Sequence, residues 1–254
     1  MMPLGQLRTH APQRVQSRVK RASPALAGGR IAALAGDPAT GRVYLLDEVA
    51  EEIRILEGER VVEAWPAPDA LSLARAGGLL WVGGRAGLLE ARAPEGSVAL
   101  SATLGAEGGV LALAPSPDGA RLYAATYGRV HGVDAATGDV LGSAAVEGLF
   151  RALAVSPEGD TVYVTAYDAA EGQAYLVALD AATLAPRSRA PVPADPAEIV
   201  TDPATGRVFV LSSGGDLAVY DAAFAPLATL PVGLGPRHLA IDPAARRVYA
   251  SAEG

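Results

Sequence analysis

The heptapeptide DPATGRV begins at Asp37 and again, unchanged, at Asp202. Looser copies of the same word fill the rest of the chain: SPDGARLYAA from Ser116, SPEGDTVYVT from Ser156 and DPAARRVYAS from Asp242, with a degenerate ARAGGLLWVG from Ala74. Each copy carries one aromatic, at Tyr44, Trp81, Tyr123, Tyr163, Phe209 and Tyr249, so the steps are 37, 42, 40, 46 and 40 residues. Self-similarity at a period of 40–45 residues restricts a chain to repeat architectures.

The repeated word is a turn with a strand on either side. Asp or Ser bonds its own downstream backbone. Pro presets φ for a type I turn, and Gly supplies the positive φ that lets a hairpin close with the right twist. Short apolar runs precede each turn (LALAP, ALAVS, EIVTD, HLAID) and others follow it (RVYLL, RLYAA, TVYVT, RVFVL, RVYAS). A second signature, VDAATGDV, LDAATLAP and YDAAFAPL, ends a further strand in Asp and turns again. Each unit therefore reads as four strands, and six units of four strands predict an all-β, six-bladed antiparallel β-propeller. No helical periodicity of the kind an α-solenoid requires is present.

Val162, Tyr163, Val164 and Thr165, followed by Ala166, nearly spell the motif for which YVTN β-propeller repeats are named, and the surrounding LAVSPEGDTVYVTA…VALDAAT resembles that repeat along most of its length. The resemblance covers five of the six units and fits residues 71–105 poorly. It implies a propeller of binding or structural character, such as surface-layer and other repeat proteins, and often seven blades, from which six would depart.

The last unit stops at Gly254 just after its second strand, which leaves an open edge. GQLRTHAPQ and RVQSRVKR near the N-terminus are expected to supply the missing third and fourth strands, making 1–254 one circular domain with 1–29 closing the final blade. In the latter segment Val15, Ser17 and Val19 alternate with Arg14, Gln16, Arg18 and Lys20, as an outer strand with one wet face would. Residues 1–30 hold six basic side chains and no acid, against a net charge of −7 for the chain. That asymmetry raises nucleic-acid binding as a third functional class, but the alternation favours an exposed strand face.

There is no cysteine and no asparagine. Disulfides, thiol nucleophiles, N-glycosylation and a calcium site built with Asn are thereby excluded. No apolar run spans a bilayer, and the N-terminus lacks an apolar signal segment, so a cytoplasmic location is the default unless a leader was removed. Oligomeric state is left open. The inner strands are rich in alanine (Ala33, Ala35, Ala112, Ala114, Ala152, Ala154, Ala240), as strands converging on a crowded axis require.

Function is expected on the face opposite the DP and SP turns, where loops enter the inner strands. Aligning the units on their turns places Asp69, Arg151, Glu198, Arg237 and His238 around that channel mouth. Two arginines there could hold a carboxylate or phosphate of a small anionic ligand; equally, Arg151–Glu198 and Asp69–Arg237 could simply neutralise one another. Six extra residues between Tyr163 and Asp180 place Tyr167, Asp168, Glu171 and Tyr175 on a longer loop of the same face, and Tyr127 and Arg129 lie nearby. The acidic run DEVAEE, from Asp47, reads as a solvated loop rather than a calcium site.

Catalytic signatures are lacking. The three histidines (His10, His131, His238) form no H-E-x-x-H, and no G-x-S-x-G elbow or P-loop occurs. Trp81 occupies the core position of its repeat, so a tryptophan-stacked quinone is unsupported, and no cofactor or metal is expected. The leading expectation is a non-catalytic binding or scaffold propeller recognising a protein or small ligand at the channel mouth. The alternative is a lactonase-type hydrolase with an acidic site built from Asp69, Glu198 and His238.

Overall fold

A computed structural model describes residues 29–105, 108–146, 148, 152–233, 235, 236 and 238–251. The first four strands, β1 (Ile31–Gly36), β2 (Arg42–Asp47), β3 (Glu52–Glu57) and β4 (Arg60–Pro66), pair in sequence order as one antiparallel sheet. Four more sheets repeat this plan: β5 (Ala70–Ala76), β6 (Leu79–Gly84), β7 (Leu88–Arg92) and β8 (Val98–Thr103); β9 (Ala112–Pro115), β10 (Arg121–Thr126), β11 (Arg129–Asp134) and β12 (Val140–Ala145); β13 (Leu153–Val155), β14 (Thr161–Asp168), β15 (Gln173–Asp180) and β16 (Pro186–Val192); β17 (Pro196–Thr201), β18 (Val208–Ser212), β19 (Asp216–Tyr220) and β20 (Pro226–Pro231). The final pair, β21 (Leu239–Asp242) and β22 (Arg247–Ala250), forms a two-stranded hairpin.

The expected six-bladed ring is therefore corrected to a β-propeller of five four-stranded blades followed by a hairpin. The repeated turn word specifies only the first two strands of a unit, so counting it counts hairpins. The closing strands expected from 1–29 fall almost wholly outside the described residues.

Burial follows the same division. Tyr44, Trp81, Tyr123, Tyr163 and Phe209 are buried in the five blades, whereas Tyr249 is 50% exposed. Three of the buried aromatics, Trp81, Tyr123 and Tyr163, reach the next blade's Asp-ended turn. The Tyr123 hydroxyl donates to the Ala181 carbonyl at 2.8 Å. Tyr163 stacks on Phe224 with centroids 5.9 Å apart. A Cβ on Gly138 would lie 3.8 Å from the Trp81 ring. Those turns are held rigid by Asx bonds: Asp134 Oδ1 accepts from the Ala136 and Thr137 amides, and Asp180 Oδ1 from Ala182 and Thr183. These bonds and Arg187 hold the Asp180 carboxyl down at about 2.

The outermost strands carry a shared device against edge-to-edge pairing. In all five blades the ladder between third and fourth strands shifts register once near the start of the fourth. The bulges skip Val62, Ala99, Leu141, Arg187 and Leu227, and β4, β16 and β20 also carry proline; bulged edges are poor templates for another strand, and proline makes them poorer.

Candidate functional site at the channel mouth

All six inner strands converge on a channel of about 440 Å³. Its walls are apolar and small: Ala33, Leu73, Ala112 and Ala152 are typical, as the alanine-rich inner strands predict. Among the described lining residues the polar side chains are Ser72, Glu198 and His238. The Ser72 hydroxyl donates to the Val110 carbonyl at 2.8 Å. A wider vestibule of about 920 Å³ opens beside it, between the first blade and the hairpin, lined by Arg30, Glu48, Ala197, Ser213 and His238. There Arg30 is ion-paired with Glu48.

A local irregularity brings neighbouring residues into the channel together. The β1–β2 ladder skips Ala32, the β5–β6 ladder skips Leu71 and the β17–β18 ladder skips Ala197. A regular strand sends alternate residues to opposite faces. At the bulges both members of a pair, Ala32 with Ala33 and Ala197 with Glu198, line the same channel.

Glu198 is the most perturbed group of this face. Its Oε2 accepts from the Leu239 amide and lies 3.8 Å from His238 Nδ1. One side chain thus ties the fifth blade to the hairpin. Burial pushes the Glu198 carboxyl up to about 7, with the Leu239 bond opposing that rise. A carboxyl poised near neutrality on an apolar wall is a recognised mark of a functional site.

Asp69 is not at the channel. It is largely exposed, sits at φ 62° and pairs with Arg85 at 3.1 Å. The reason is the second unit's Gly77–Gly78 turn. Ala74 faces Trp81 across it, seven residues on, whereas Ala35 and Tyr44, or Ala114 and Tyr123, are nine apart. The tighter turn moves the register by two residues, so Leu71 and Ser72 take the places expected of Asp69 and Ala70. The double glycine in ARAGGLL was the available signal. The trio Asp69, Glu198 and His238 is therefore not assembled, while its last two members are. Arg151 and Arg237 lie outside the described residues, as does His10; His131 is buried and bonded to Thr126 Oγ1 at 3.1 Å.

The lengthened loop is a rigid hairpin. β14 and β15 each run eight residues, against six in β10 and β11. Asp168 Oδ1 accepts from the Ala170 and Glu171 amides. Glu171 receives the Tyr175 hydroxyl and pairs with Arg189, whose guanidinium lies 4.3 Å over the Tyr175 ring. The acids of this loop are thus engaged within it. Tyr167, 38% exposed, and Tyr127, 56% exposed, remain open on adjacent blades, and Arg129 bonds Ser143 at 3.1 Å. In the DEVAEE run Glu48 and Glu51 are exposed, but Asp47 is fully buried, pairing with Arg54 at 2.9 Å and capping the turn through the Val49 and Ala50 amides.

Among the described residues no group of three or more His, Cys, Asp and Glu side chains is arranged to hold a metal ion, and no helix is long and apolar enough to cross a membrane.

No family model and no curated protein sequence matches the chain. Solved structures do resemble it. Hydrazine synthase of Kuenenia stuttgartiensis superimposes with a TM-score of 0.74 at 15% identity, over 88% of this chain and 84% of that one. The WD40 domain of Toxoplasma gondii coronin superimposes with a TM-score of 0.71, also at 15% identity, over 83% of this chain; the chain spans 61% of that structure's length. At such identities the likeness is one of fold, and the fold that these comparisons and the strand order establish is an all-β propeller.

Proposed function

We propose that this chain is a non-catalytic binding or scaffold propeller that recognises its ligand or protein partner at the channel-mouth face. The observation that carries the reading is convergence: the inner strands of all units meet at an apolar channel holding one near-neutral carboxyl and one imidazole, Glu198 and His238. Ligand sites are commonly concave and apolar with a few placed polar groups. The rim supports the reading. Val49, Leu88, Leu111, Tyr127 and Tyr167 are all exposed large apolar side chains at strand entries or second-to-third strand connections on this side. The likeness to a WD40 domain is in keeping with a binding role. By contrast, a groove of about 420 Å³ on the opposite face, between the third and fourth blades, has several of its charged groups engaged in structure. There Arg187 pairs with Asp180, Asp118 takes the Ser116 hydroxyl and Asp160 takes that of Ser156.

The test uses the channel's own alanines. With ¹³C-methyl-labelled alanine, a library of neutral and charged fragments is screened by NMR against the whole chain. The reading predicts that hits shift the methyls of Ala33, Ala112, Ala152 and Ala197. Hits confined to Ala181 and Ala182, in the opposite groove, would overturn it.

A further inference from the structure

The chemistry of the channel selects a ligand class. Resting on the reading just given, we propose that the channel is a site for a primary ammonium group at the end of an aliphatic stem, with Glu198 as its counter-charge. That chemistry is shared by a lysine side chain and by a free alkylamine.

Three observations lead there. The first is the sign of the charge. Among the described residues lining the channel there is one carboxyl and no lysine or arginine. The one described arginine lining the adjoining vestibule, Arg30, is paired with Glu48. The second is valence. Oε2 of Glu198 is taken by the Leu239 amide, which leaves Oε1 as the acceptor with no hydrogen-bond partner among the described residues. A guanidinium is held best by both oxygens of a carboxylate, whereas an ammonium is a compact point charge satisfied by one. A divalent cation would want several more oxygens than this wall offers. The third is the wall itself. Methyl and isobutyl groups from Ala33, Leu71, Ala112 and Ala152 line the approach, and an aliphatic stem buries against them while its charged head reaches the carboxylate.

The groups facing Glu198 define how the site responds to pH. His238 approaches from the start of the hairpin, and Arg30 and Glu48 stand across the vestibule from the first blade; the described lining residues of the fourth blade, Ala152 and Leu153, carry no charge. Between pH 6 and pH 8 the Glu198 carboxyl passes from mostly neutral to mostly ionised while an alkylammonium stays charged. Affinity for the amine therefore rises with pH across this window.

The experiment compares n-pentylammonium, acetyl-Gly-Lys-Gly-amide, 1-pentanol and pentanoate on the whole chain, by calorimetry and alanine-methyl NMR. Pentylammonium is expected to bind, to shift Ala152 and Ala197, and to bind about tenfold more tightly at pH 8 than at pH 6. Glu198→Gln keeps an acceptor for the Leu239 amide, so the variant stays folded, as its methyl spectrum will verify; it is expected to weaken pentylammonium binding at pH 8 at least tenfold. A tighter peptide assigns the site to a polypeptide lysine and a tighter free amine to a small molecule, and either result supports the ammonium site. Equal affinity for pentanol, undiminished binding to Glu198→Gln, or no binding of either amine would overturn it. Mouth-face recognition would survive those results if the neutral fragments still marked the channel alanines, so the two ideas fail separately.

Discussion

Trp81 and Tyr249 hold the same place in the same repeated word, and their surroundings differ completely. Trp81 is fully buried: β6 lies between β5 and β7, Ala74 and Ala91 flank it in register, and the third blade closes over its ring at Gly138. Tyr249 is half exposed on β22, which pairs with β21 alone among the described strands. The comparison teaches that the turn word makes a hairpin, whereas its aromatic is buried where a third strand pairs beside it, as β3, β7, β11, β15 and β19 do in the five blades. It also locates the site. Glu198 lies at the step between these two kinds of unit, on the last full blade, with its carboxyl bonded to the first residue of the hairpin.

The largest effect is expected from removing the buried member of the pair. Trp81→Ala should cost about 4 kcal/mol in urea-induced unfolding, and Tyr249→Ala under about 1 kcal/mol, because only the first leaves a large cavity. Equal costs would mean that the hairpin is packed as a blade is.

A smaller effect is expected at the step itself. The folded Glu198 carboxyl sits near 7 against an ordinary 4.5. Between those values the folded chain holds a proton that the unfolded chain has released. Glu198 therefore makes stability fall as pH rises from 4.5 to 7, opposite in sign to depressed carboxyls such as Asp180. Glu198→Gln removes this penalty. It should match the parent near pH 5 and exceed it by about 1–2 kcal/mol at pH 8, less than the full shift implies because the side chain retains some water. A loss of stability at pH 8 would show instead that the ionised carboxylate stabilises the step.

Much of the architecture was legible in the sequence because turn chemistry is local. Asp, Pro and Gly at fixed offsets specify their hairpins whatever surrounds them, and the Asp-Ala-Ala turns form the Asx bonds that their spelling implies. The six extra residues after Tyr163 were placed correctly: four extend β14 and β15 and two widen the turn between them. Blade number was less legible, since a hairpin word does not report whether outer strands complete it. Of the site, Glu198 and His238 were found because their units carry the standard turn. Asp69 was misplaced because Gly77 and Gly78 shorten theirs, which hid Leu71 and Ser72. The burial that perturbs Glu198 was invisible in sequence, because the channel around it is lined by strands from every unit of the chain.

The central claim is that Glu198 is a half-buried carboxyl facing the channel at the junction of blade and hairpin. Its side-chain ¹³C resonance, assigned through Glu198→Gln and followed from pH 3 to pH 9, tests this most directly. The account predicts a midpoint near 7, moving downward when pentylammonium is added. A midpoint near 4.5 that the amine leaves unchanged would contradict it.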